Sequence, residues 1–218
     1  YAGGITGMNF QGTIENCVSS AEIHVLSGAV YAGGIAGYDS GGVILECSAE
    51  VEISAESLDD DTVGAGGIVG DTSGKVDACT AAGTVYANGA ESVYAGGIAG
   101  VSWNKEISRC TAGVDVSAAG VSDDMYAGGV AGMNFHGTIE NCRFTTKITA
   151  EKVRCAGGVV GYDSAGIIRG CSGTADISVQ GSITEDVKAG GVVGETTGDV
   201  FDCAVLGTVF AEGRNWVY

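Results

Sequence analysis

An all-β chain wound as a parallel β-helix is what this sequence predicts, and three observations carry the prediction. A glycine-rich element recurs seven times, a cysteine follows each copy at nearly constant distance, and an apolar–polar alternation of period two follows the cysteine. The expectation is a single β-solenoid domain over residues 1–218, with about seven right-handed coils of about 31 residues. At about 4.8 Å per coil they form a rod of roughly 34 Å.

The glycine-rich element opens each coil. Ala-Gly-Gly-(Ile/Val)-x-Gly begins at Ala2, Ala32, Ala65, Ala95, Ala127, Ala156 and Ala189. The chain has 39 glycines and no proline, which suits strands with tight corners and not collagen, where proline is abundant. With 45% hydrophobic residues it is too apolar for a disordered linker. Read as one strand, this element leaves its inward face open, because both parities are largely apolar. The column Ile5, Ile35, Ile68 and Ile98 is the favoured inward set.

The second element leads into the cysteine. Cys17, Cys47, Cys79, Cys110, Cys142, Cys171 and Cys203 fall in one column, each preceded three residues earlier by Ile14, Ile44, Val76, Ile107, Ile139, Ile168 or Val200. Glycine stands five before each cysteine except in the fourth coil, which has Lys105. The third element alternates: Ala21, Ile23 and Val25 in the first coil, Val51, Ile53 and Ala55 in the second, with polar residues such as Glu22 and Glu52 between. That is a half-buried strand. Three strands per coil follow, with insertions collected after the third.

A longer period lies above the first. Met8-Asn9-Phe10 returns as Met133-Asn134-Phe135 and Tyr38-Asp39-Ser40 as Tyr162-Asp163-Ser164, so coils five to seven copy coils one to three. Seven units also suggest a propeller, but blades need about 40 residues and four strands. A four-coil unit does not divide evenly around seven. The pattern is already running at Tyr1 and still running at Tyr218, so a fragment of a larger protein is expected.

The formal charge of −17, from 27 acidic and 10 basic residues, argues against nucleic acid and anionic membrane as partners. No apolar run approaches the roughly 18 residues of a membrane span, so no direct membrane insertion is expected.

The Gly-Gly-(Ile/Val)-x-Gly element followed by Gly-x-Ile-x-x-Cys resembles the GLUG-repeat family of bacterial secreted and cell-surface proteins. The resemblance covers all seven coils, with Ile or Val where that family often has Leu. It implies an extracellular or cell-surface setting and neighbouring domains in the same chain, such as IgA-specific metallopeptidase or adhesin domains. The repeats themselves imply no chemistry.

Candidate sites are few. Tyr38-Asp39-Ser40-Gly41-Gly42 looks like a serine-protease nucleophile segment, but the only histidines, His24 and His136, stand in no supporting motif. A coil corner is the plainer reading. No zinc-peptidase or nucleotide-loop signature appears. The cysteine column is expected to be free, buried thiols, with Cys155, which replaces the tyrosine before the glycine element, the more reactive one. Asp59, Asp60 and Asp61 in the long second loop are the calcium candidates, with Asp123 and Asp124 a weaker pair. They lack the spacing of a calcium loop, so a solvated loop without a cofactor is favoured. Tyr31, Tyr94 and Tyr126, in a broken column with Tyr1, and Trp103 in the irregular fourth coil are the ligand-contact candidates, against ordinary stacking between rungs.

The reading that follows is a non-catalytic repeat module, a rigid spacer or an adhesion surface for host protein or glycan. Its rivals are an accessory region of a secreted metallopeptidase and a carbohydrate-active β-helix enzyme. The last needs several Asp or Glu with Arg or Lys on one outward face.

Overall fold

The computed structural model describes residues 1–120, 124–181, 186–213 and 217–218. Four seven-stranded sheets run along a solenoid, and each strand pairs in parallel with its counterparts in the coils before and after it. Among the described residues there is no helix. The third coil shows the plan: Val63–Gly66, Val69–Thr72, Lys75–Asp77 and Thr80–Gly89. Each coil therefore has four strands, where sequence reading expected three.

The extra strand arises because the glycine-rich element breaks at its second glycine. The break also resolves the parity question. Ala32, Ala65 and Ala95 and the Ile35, Ile68 and Ile98 column are all fully buried although their parities differ. An unbroken strand would put them on opposite faces. At the corner one carbonyl serves two donors: the Ile68 oxygen accepts from the Ile35 N–H at 2.9 Å and the Ala36 N–H at 3.1 Å. Ile5, in the first coil, is 44% exposed.

The corner also explains the glycine column. A Cβ on Gly67 would lie 2.3 Å from the Gly97 carbonyl oxygen and 2.7 Å from the Ala81 Cβ. Only a residue without a side chain lets the corner lie against the fourth strand. Two further corners flank the short third strand, and there left-handed backbone recurs, at Gln11, Asn104 and His136 before it and at Asn16, Ala78 and Asn141 after it.

Inside the corner after the second strand runs a polar column instead of an apolar one. Asn9 Nδ2 donates to Asp39 Oδ1 at 2.6 Å, and Thr72 Oγ1 donates to Asp39 Oδ2 at 2.9 Å. The super-repeat reproduces this in Asn134, Asp163 and Thr196, at 2.7 Å for both bonds. Asp39 and Asp163 are fully buried. Burial raises the Asp39 pKa, and the Thr72, Asn9 and backbone Gly42 and Gly74 donors offset part of that rise. Asp39→Ala is expected to cost about 2 kcal/mol, because the Asn9 and Thr72 donors lose their shared acceptor inside the corner. Urea unfolding of the variant measures the loss.

The cysteine column lies between the third and fourth strands, and all eight cysteines are free. Cys79 Sγ donates to the Asp77 carbonyl at 3.3 Å and, across to the previous coil, approaches the Ile44 carbonyl at 3.7 Å. The same pair of contacts recurs at Cys47, Cys110, Cys142 and Cys171. The thiols thus fill the core as small, weakly polar groups.

Candidate functional site

The chemistry-bearing side chains gather on the outer side of the first and second strands. The first strand of each coil carries Tyr31, Gly64, Tyr94, Tyr126, Cys155 and Lys188 in one register column. The second strand carries Met8, Tyr38, Asp71, Val101, Met133, Tyr162 and Glu195 in another. The two strands lie close together because the glycine closing each motif meets the preceding coil: a Cβ on Gly70 would be 2.6 Å from the Ala32 nitrogen.

The two columns therefore touch. Tyr1 stacks on Tyr31 with ring centroids 5.7 Å apart and meets Tyr38 at 5.0 Å. Further along, Tyr94 stacks on Tyr126 at 5.7 Å, and Tyr126 on Tyr162 at 4.9 Å. Trp103 packs against Phe135 at 5.1 Å. The four aromatic candidates thus divide between two places. Tyr31 and Trp103 border one cleft, which also has Tyr1, Tyr38, Asp71, Ser73 and Asn104 in its walls and a volume of about 450 Å³. Tyr94 and Tyr126 belong to a continuous stack in which Tyr126 is almost wholly buried.

Asp71 is the residue that sequence reading missed. It is 6% exposed and its Oδ2 accepts from Trp103 Nε1 at 3.3 Å. Burial raises its pKa to about 6 against the opposing Trp103 hydrogen bond, with the Asp39 charge adding to the rise. Burial likewise carries the Tyr31 phenol to about 12. Asp71 interrupts a column of larger side chains, which no periodicity search rewards. Comparing the two super-repeats position by position locates it.

The other candidates lie apart. Asp59, Asp60 and Asp61 are exposed, and among the described residues no group of three or more His, Cys, Asp or Glu is arranged to hold a metal. Asp123 lies outside the described residues. Ser40 ends the second strand at a corner where Gly41 has φ +69°, and Asp39 beside it belongs to the polar column. His24 bonds Glu22 at 2.8 Å, and His136 packs edge-on against Phe135.

A mixed-charge cluster forms on the third sheet. Lys75 lies 3.5 Å from Asp77 and 3.3 Å from Glu106, and Arg109 donates to Asp77 through Nε and Nη2. The Arg109 hydrogen bond holds Asp77 below the usual carboxylate range, and the Ser108 hydrogen bond does the same for Glu106. Glycoside hydrolysis needs one carboxyl kept protonated as acid. These two are tuned the opposite way.

Cys155 differs from expectation. It is fully buried, and burial, then the neighbouring Glu195, carries its thiol to about 12. A thiolate is what reacts, so this cysteine is quiet. Native protein treated with a disulfide exchange reagent is expected to react only at the half-buried end thiols Cys17 and Cys203. The other six should titrate only in denaturant.

A family model for the GLUG motif matches residues 123–149, which lie in the fifth coil. No curated protein and no solved structure matches the chain.

Proposed function

We propose that this solenoid, with a GLUG motif in its fifth coil, is a non-catalytic module of a bacterial secreted or cell-surface protein that spaces neighbouring domains and presents a binding face. The observation carrying the proposal is the tyrosine-lined outer face of the first two sheets, interrupted by the cleft at Asp71. Aromatic side chains offer large contact area at small entropic cost, which suits a surface that holds a partner. Against a hydrolase stands the state of the carboxylates. Asp77 and Glu106 are tied up in ion pairs, and Asp71 interacts with Asp39, which is fully buried and out of reach of any substrate.

Arrays of glycans and extracellular proteins probed with the labelled chain are expected to show saturable binding. Tyr38→Ala should weaken it several-fold while the chain stays folded. Turnover of a protein or glycan substrate, abolished by replacing a single carboxylate, would overturn the non-catalytic reading.

A further inference from the structure

The super-repeat sets Asp71 of the third coil against Glu195 of the seventh, 124 residues on. Both sit in the second strand's outer column, beside Tyr38 and Tyr162 respectively. Their surroundings differ in one respect that decides their chemistry. Lys188 Nζ lies 2.7 Å from Glu195 Oε1, and Arg154 Nη2 lies 3.5 Å from Oε2. Burial raises the Glu195 pKa, but the hydrogen bonds from Lys188 and Cys155 outweigh it and leave the group below its ordinary value.

At the equivalent places of the first super-repeat stand Gly64 for Lys188 and Val30 for Arg154. Asp71 has lost both cations. Among the described residues no lysine, arginine or histidine forms an ion pair with it, and its one side-chain donor is the neutral Trp103 indole. A buried carboxylate without a countercharge is costly. The Tyr31 ring occupies the place that a Gly64 side chain would take: a Cβ there would be 2.7 Å from it. Asp71 instead borders a cleft of about 450 Å³, walled by Tyr1, Tyr31, Tyr38 and Trp103.

We propose that the Asp71 cleft receives the side-chain ammonium of a lysine on a partner protein, which supplies to Asp71 the countercharge that Lys188 supplies to Glu195. The methylene stem lies against Tyr31, Tyr38 and Trp103, whose ring faces also attract the cation. The chain's charge of −17 draws a basic surface toward it. This narrows the binding-module reading to a partner class and rests on that reading.

The test uses the full chain with Trp216→Phe, so that fluorescence reports Trp103 alone. The probes are a glycine-flanked lysine peptide, the same peptide acetylated on the side-chain nitrogen, and methyl glucoside. The lysine peptide is expected to give a saturable change that weakens with added salt. Acetylation, or Asp71→Asn in a chain shown folded by circular dichroism, should weaken it at least about tenfold. Equal response to the acetylated peptide, an unchanged response in Asp71→Asn, or no response to the lysine peptide would each overturn the lysine assignment. Response to methyl glucoside alone would overturn it too while leaving the binding-module reading intact. That reading fails separately, on the arrays.

Discussion

Gly97→Ala is expected to destabilise the protein by about 3 kcal/mol, while Gly113→Ala in the same coil leaves it unchanged or about 0.5 kcal/mol more stable. The chemical change is identical, so only the surroundings set the sign. A Cβ on Gly97 would lie 2.2 Å from the Gly129 carbonyl oxygen and 3.0 Å from the Ala112 Cβ. Neither is the end of a flexible side chain that can swing aside. The coil has to open, and the opening passes to the coil above it through the strand pairing. Gly113 faces outward, and a Cβ there would meet only the Ala81 carbonyl oxygen at an ordinary 3.6 Å. The new methyl group then acts mainly by restricting the unfolded chain. Urea midpoints at constant m-value separate the two cases.

Asp71→Asn is expected to stabilise the protein by about 3 kcal/mol at neutral pH and hardly at all in acid. The carboxyl titrates at its ordinary 3.8 when unfolded and at about 6 when folded. Between those values the native state binds more protons than the unfolded state, so stability falls as pH rises through the window and stays lower above it. A shift of roughly two units corresponds to about 3 kcal/mol. Asparagine keeps the shape and the acceptor for Trp103 Nε1 without the charge. Wild type and variant should therefore unfold alike near about pH 3.5 and diverge steadily to about pH 7. A gain of equal size at both pH values would mean that packing, not ionisation, explains it. The cost of an ionised Asp71 is what a partner's ammonium would relieve.

Most of the fold is legible in the sequence because the rungs are nearly identical. The Ile14-to-Val200 column and the alternating fourth strand each repeat in register, and the structure pairs them so, with the cysteine column between them. What was not legible is the corner within the glycine element. Parity arguments assume an unbroken strand, and burial of both Ala32 and Ile35 needs a break that two adjacent glycines permit without announcing.

The candidate site was half legible. Tyr31 and Trp103 were marked by type, and they do border one cleft, while Tyr94 and Tyr126 join a separate stack. Asp71 was not marked, since a single acid in an irregular column looks like surface. Its meaning appears only beside Glu195 and Lys188, a comparison between super-repeats rather than between coils. The burial of Cys155 is not legible either: standing outside the cysteine column, in a tyrosine's place, suggests a more reactive thiol, whereas it is fully buried with Glu195 beside it.

The stacking of rungs is tested most directly by distances between spin labels along one outward column. Glu22, Glu52 and Thr84 stand in register on consecutive coils, and Lys147, Asp176 and Thr208 continue the face. Labels on cysteines placed at Glu22 and Lys147, and at Glu22 and Thr208, in a Cys17→Ala, Cys203→Ala background, span four and six coils. Backbone separations of about 19 and 29 Å are expected, growing by about 4.8 Å per coil. Separations that stop growing, or shrink, as coils are added would show a chain that closes on itself and would contradict the solenoid.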